Sequence, residues 1–166
     1  MAMKNFNRQI VSAALAGLLL FVSAVPCFSQ DHIRKLDTVR TSMTKMGGSL
    51  PDLIRKAPSR DIRTLERVFE INNYSLVTIE SYLKMLRIAA QSAAGMNKDV
   101  IIVLNQWLKF ITNYCEYDLK YMDEAISQTT DKAIVNVLTS QKENIASLRD
   151  AAKFGIDENT AIAKKL

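Results

Sequence analysis

Apolar residues recur at steps of three and four along most of the chain, never by sustained alternation, and that is the period of amphipathic helices. Glycine and proline interrupt the pattern at Gly47-Gly48, Pro51, Pro58, Gly95 and Gly155. The first predicted helix runs from Asp31 to Met46, with Ile33, Leu36, Met43 and Met46 on its apolar side, and Gly47-Gly48 is expected to end it. Ser49, with Asp52 three residues on, then opens a short helical piece through Ala57 in a capping-box pattern. Pro58 and Ser59 set the next boundary, because the residue before a proline avoids helical geometry and serine caps well.

The second helix carries Ile62, Leu65, Phe69, Asn72, Leu76, Ile79, Leu83, Leu86, Ala90 and Ala93 at alternating three- and four-residue steps, up to a C-terminal cap at Gly95. Asn97 is placed to cap a third helix that reaches about Gln128, and Thr129 or Thr130, followed by Asp131, starts a fourth. The fourth seam reads Ile134, Leu138, Gln141, Ile145, Leu148 and Ala152, with Phe154-Gly155-Ile156 resembling a helix end. Long amphipathic helices joined by short turns must fold back on one another. The expected architecture is all-α: an antiparallel up-down-up-down four-helix bundle whose first helix is kinked or broken.

The segment before the first helix has a different character. Lys4 and Arg8 precede an uncharged run from Ile10 to Val25, and Pro26 and small residues follow through Ser29. A positive start, an apolar stretch and a small-residue end read as a secretory signal peptide over residues 1–29, cut after Ser29. The run is shorter than the roughly 20 residues a membrane span needs, so retention as an anchor is the weaker alternative. Pro26 before Cys27 argues against a lipid-bearing cysteine. Residues 30–166 then form one domain, long enough to bury a core without staples. The expected location is a bacterial periplasm or the extracellular space, with membrane contact at most peripheral.

Removing the leader changes the charge only slightly. The whole chain has 22 basic and 17 acidic residues, a net +5; losing Lys4 and Arg8 leaves 20 against 17, a net +3. That is too mild to argue for nucleic acid. Cys115 alone remains of two cysteines, which excludes an internal disulfide and suits a buried small apolar residue.

Catalytic raw material is scarce. His32 is the single histidine, so a histidine-centred triad or a multi-histidine metal site has no basis, and no glycine-rich phosphate loop or haem motif occurs. No enzyme, metal or cofactor is expected. Three features remain as candidates for binding.

The third helix carries two apolar stripes side by side. Val100, Val103, Trp107, Phe110, Tyr114, Tyr117 and Tyr121 form one, and Ile101, Leu104, Leu108, Ile111, Cys115, Met122 and Ala125 the other. Together they span an arc of roughly 180°, against the ≳100° one buried face needs. Either the helix touches two neighbours, or Trp107, Phe110, Tyr114, Tyr117 and Tyr121 anchor a partner. Next, Asn72, Asp118 and Gln141 interrupt apolar seams at about the same distance from the turns. They form either a register-fixing polar layer or a small-ligand site in the core. Finally, Arg55, Lys56, Arg60, Arg63 and Arg67 crowd the Pro58 corner, as a solvated end or a patch for an acidic partner or anionic headgroups. The leading expectation is an exported, non-enzymatic interaction module that binds a protein partner or itself. The alternative is a ligand-binding or sensing bundle with a polar site in its core.

Overall fold

The computed structural model describes residues 30–91 and 96–166; the expected leader over residues 1–29 and the Gly95 cap lie outside the described residues. The fold is all-helical, with no strand among the described residues. Helix α1 spans Gln30–Lys56, α2 Ser59–Gln91, α3 Lys98–Gln128 and α4 Lys132–Ala163. They assemble as a four-helix bundle around a single cluster of buried apolar side chains drawn from all four.

Two helix starts follow the sequence closely. The Asn97 side chain accepts the Val100 N–H at 2.9 Å, which occupies one of the unpaired donors at the start of α3. Asp131 does the same for α4, accepting from Ala133 N at 2.8 Å and Ile134 N at 3.2 Å. Thr129 closes α3 instead of opening α4: its N–H reaches Ile126 O at 3.4 Å.

Gly47-Gly48 does not end α1. The helix continues through the glycine pair and Pro51 to Lys56, and the Ser49 hydroxyl donates back to Met46 O at 2.9 Å rather than capping a new helix. Gly47 is a point of close approach. A Cβ there would lie 2.9 Å from Nδ2 of Asn72, which donates to Met43 O at 3.1 Å. The missing side chain lets α2 reach the backbone of α1. Gly155 is likewise interior to α4, which runs on to Ala163, because it lies against the buried ring of His32.

Two faces are rotated from their expected positions. On α2 only Leu65, Asn72, Ile79 and Leu86 of the predicted seam are fully buried, while Ile62, Phe69, Leu76 and Leu83 are half-buried. Asp61, Val68, Ser75 and Tyr82 complete the inner face. On α1, Ile33 is exposed and its neighbour His32 is buried. The seam of α4, by contrast, is buried at every expected position from Ile134 to Ala152.

Polar contacts tie specific levels of the helices together. His32 of α1 meets Tyr82 of α2, and Ser42 donates to Asn144 of α4 at 2.7 Å. Between α3 and α4 the pairs are Asn105 with Asn159 at 2.8 Å, Glu116 with Lys153 at 3.3 Å, and Asp123 with Lys142. Helix α3 packs most extensively on α4 and only sparsely on α2. Among helices consecutive in the chain, the α2–α3 seam is therefore the loosest.

Candidate functional site

The two stripes of α3 separate cleanly in the structure. Ile101, Leu104, Leu108, Ile111, Cys115, Met122 and Ala125 are all buried. In the other stripe Val100, Trp107, Tyr114 and Tyr121 are half-buried, and Val103, Phe110 and Tyr117 are exposed, Tyr117 by 68%. The second neighbour, α2, takes up only part of the extra apolar arc, and Val103, Phe110 and Tyr117 stay uncovered.

Rings from two helices run together along the α2–α3 seam. Tyr74 of α2 packs on Tyr114 with centroids 4.6 Å apart, Tyr114 on Phe110 at 6.4 Å, and Phe110 on Trp107 at 5.9 Å. Such pairs contribute about 0.5–1.5 kcal/mol each beyond area burial, enough to hold the rings in a fixed array. Tyr74 lies off the predicted seam of α2, so periodicity missed it. Among the described residues nine large hydrophobics are exposed, and seven of them belong to α2 or α3: Tyr74, Val77, Ile88, Ile102, Val103, Phe110 and Tyr117. Scattered exposure is ordinary; concentration on one helix pair is not. The Trp107 indole Nε1 adds a buried donor with no acceptor.

Asn72, Asp118 and Gln141 are all fully buried, as a polar layer requires. No hydrogen bond joins them. Asn72 spends its amide on Met43 O, and its Oδ1, both Asp118 oxygens and both Gln141 amide atoms have no partner of ordinary geometry. Burial pushes the Asp118 carboxyl above the usual range, while the Tyr114 hydroxyl and the Arg67 guanidinium pull it part of the way back. Asp118 in turn raises the Tyr114 hydroxyl, whose main burden is its own desolvation.

A second polar cluster was not foreseen. His32 Nε2 lies 3.3 Å from the Tyr82 hydroxyl, and the ring also bonds the backbone at Ala151. Asn159 faces the Tyr82 hydroxyl and donates to Asn105 Oδ1. The chain of contacts thus crosses all four helices. Phe154 flanks the imidazole at 6.3 Å between centroids, with the Lys35 ammonium over the far ring. Burial lowers the histidine to about 4, so it is neutral at pH 7. Its position beside the expected cleavage point hid it; Asn159 at helical spacing beyond Ala152 and Gly155 was the one available signal.

The basic corner divides. Arg55 pairs with Asp52, and Arg60 with Asp61 at 3.4 Å and Thr130 at 3.1 Å, all near the α1–α2 turn, where Lys56 ends α1. Arg67 pairs with Glu70 at 3.0 Å and, with Arg63, faces the tyrosines of α3. Apart from Arg60–Asp61, whose carboxylate is buried, these pairs are exposed and worth about 0–1 kcal/mol, so they shape charge more than stability.

Other chemistry is limited among the described residues. Burial and the nearby Asp118 push the Cys115 thiol up to about 12, which makes it a poor nucleophile. No group of three or more His, Cys, Asp or Glu side chains gathers to hold a metal ion, and no helix is long and apolar enough to cross a membrane. Two shallow grooves lie on the outer face of α1 near Thr38 and between α3 and α4 near Tyr117. No family model, curated protein or solved structure matches the chain.

Proposed function

We propose that the chain is an exported interaction module, acting in a bacterial periplasm or outside the cell, that binds a protein through the aromatic strip of the α2–α3 seam. It is a single non-enzymatic domain with no role for nucleic acid and at most peripheral membrane contact. The observation that carries this reading is the array Tyr74–Tyr114–Phe110–Trp107, continued by exposed Tyr117 and Val103. Rigid aromatic side chains with polar tips supply much of the energy of protein interfaces. The same reading takes the helices as antiparallel. Contact numbers run in opposite senses on α3 and α4, from Asn105 with Asn159 to Asp123 with Lys142, which supports that topology. It also places a bend in α1 at Gly47–Pro51, where Pro51 has no N–H for the Gly47 carbonyl.

Site-specific photo-crosslinking tests the binding face. A photoreactive amino acid at position 110 or 117, in a cell exporting the protein, is expected to give a discrete protein adduct. The same group at Arg34, on the outer side of α1, gives none. Equal labelling from all three positions, or none from 110 and 117, rejects the face.

The unpaired atoms of Asp118, Gln141 and Asn72 support a second reading, a small polar ligand held in the core. Replacing Asp118 by leucine separates the two. A polar layer without a ligand predicts a stable variant: removing a buried, unpaired carboxylate is expected to raise stability by about 1–3 kcal/mol. Calorimetric melting and crosslinking at position 110 are the measurements. A higher melting temperature with the adduct intact rejects the core ligand, and loss of the adduct in a folded variant favours it.

A further inference from the structure

We propose that the partner on this face is a second copy of the chain, laid antiparallel across the first about a two-fold axis at Phe110; this rests on the reading of the strip as a binding face. A closed two-fold interface uses one patch twice, so the patch must suit itself when reversed. The strip on α3 has that property. Trp107 lies three residues before Phe110 and Tyr114 four after it, while Val103 and Tyr117 each lie seven away. Reversal sets Phe110 on its own copy, Trp107 near Tyr114, and Val103 near Tyr117. Over the span from Val103 to Tyr117, apolar and aromatic groups meet one another.

Charge agrees with the same axis. Asp99 lies eleven residues before Phe110 and Lys120 ten after it, both exposed. An antiparallel pair brings each aspartate to a lysine of the other copy, twice per dimer. Lys109, one residue from the axis, lies near its own copy, a like-charged contact that the two Asp99–Lys120 pairs outnumber. Glu80 and Lys84 add no block of one charge that selects a strongly charged stranger.

Size is sufficient. From Ile102 to Tyr121 the strip is about 28 Å long at helical rise. With Tyr74, Val77 and Ile88 of α2 alongside at a helix spacing of about 10 Å, the face approaches roughly 550 Å² per copy. Two copies bury about 1,100 Å², just above the ~1,000 Å² that a specific interface needs. A reversible dimer is the expected species.

Sedimentation velocity of the exported protein is expected to show mass rising from monomer to dimer with concentration, and Phe110→Asp to weaken association about 30-fold or more. In a Cys27→Ala, Cys115→Ala background, Phe110→Cys forms an intermolecular disulfide on mild oxidation, because position 110 faces itself across the axis. A mixture of Val103→Cys and Tyr117→Cys chains crosslinks as a pair. Ile102→Cys alone does not, since its two copies lie about 24 Å apart along the helix. Positions 102, 103, 110 and 117 are exposed, and circular dichroism checks that each variant keeps its helices. A concentration-independent monomer whose Phe110→Cys variant stays reduced overturns the second copy. A dimer that crosslinks through Ile102→Cys but not Phe110→Cys overturns the axis. The photo-adduct at position 110 separates the two levels: a different protein there sinks only the self-partner, and no adduct beside a monomer sinks the face as well.

Discussion

Replacing Gly155 by alanine is expected to destabilise the protein by about 2 kcal/mol, although alanine is the better helix former by about 1 kcal/mol. The reason is steric. A Cβ at position 155 would lie 2.4 Å from Cε1, 2.7 Å from Nε2 and 3.0 Å from Nδ1 of His32. That ring is fully buried, with Tyr82 edge-on at 5.6 Å and Phe154 behind it, so it has no free direction to move. The two other glycines of the described helices serve as internal controls. Nothing lies within 4 Å of a Cβ at Gly48, so Gly48→Ala gains the helix propensity and raises stability by about 1 kcal/mol. At Gly47 the contact is the amide end of Asn72, and the two effects nearly cancel. Urea denaturation of the three variants should therefore rank Gly48→Ala above Gly47→Ala above Gly155→Ala. In a His32→Ala background the penalty at position 155 should disappear, giving a coupling of about 2–3 kcal/mol in a double-mutant cycle. If Gly155→Ala melts at or above the parent, the packing described for the α1–α4 contact is wrong.

These glycines also show where a sequence stops being informative. A glycine in a helical pattern signals either a terminus or a close approach, and both Gly47-Gly48 and Gly155 look like termini because proline or a hydrophobic clasp stands nearby. Only the partner helix distinguishes the cases. Asn72 reaching for Met43 O and the imidazole of His32 decide Gly47 and Gly155 in favour of close approach, and neither contact is encoded within one helix.

Face orientation failed for a related reason. Helix α3 was legible because its buried positions are apolar except Asp118. On α4 the large aliphatic residues Ile134, Leu138, Ile145 and Leu148 mark the inner face although Gln141, Asn144 and Asn159 share it. On α2 the inner face includes Asp61, Ser75 and Tyr82, while Phe69 and Leu83 sit at its edge. A hydrophobicity pattern then points about one position off centre. The same substitution of polar for apolar exchanged His32 and Ile33 on α1. The aromatic strip could be read from α3 alone as excess apolar arc. Its second wall could not, because Tyr74 becomes part of it only through the loose packing of α2 against α3. The polar layer was legible in burial and not in bonding: Asn72 turns to a backbone carbonyl, Asp118 is offset by Tyr114 and Arg67 rather than by its layer mates, and Gln141 bonds neither of them.

Acid should loosen the bundle through His32, and the direction follows from its environment. The folded protein holds the imidazole at about 4, while the unfolded chain protonates it at its ordinary 6.5. Between those values the unfolded state binds the extra proton, so the histidine contributes full stability above pH 6.5 and loses it as the pH falls toward 4. A shift of that size corresponds to a loss on the order of 3 kcal/mol over the window. The surroundings explain why the cation is unwelcome. The Lys35 ammonium already lies over Phe154, Tyr82 offers only a hydroxyl, and the Glu158 carboxylate acts on Tyr82. Asp118 works in the opposite sense. Its raised carboxyl takes up a proton in the folded state before the unfolded chain does, so its contribution rises as the pH falls through the raised value toward the ordinary carboxylate range. The observed acid slope is the difference of the two, and removing one partner exposes the other. Denaturant midpoints at pH 7, 5.5 and 4.5 should fall steeply for the parent, flatten or reverse for His32→Gln, and steepen for Asp118→Leu. Parallel slopes in the parent and His32→Gln would show that the histidine is not buried neutral, and with that the four-helix contact through Tyr82 and Asn159 would lose its support.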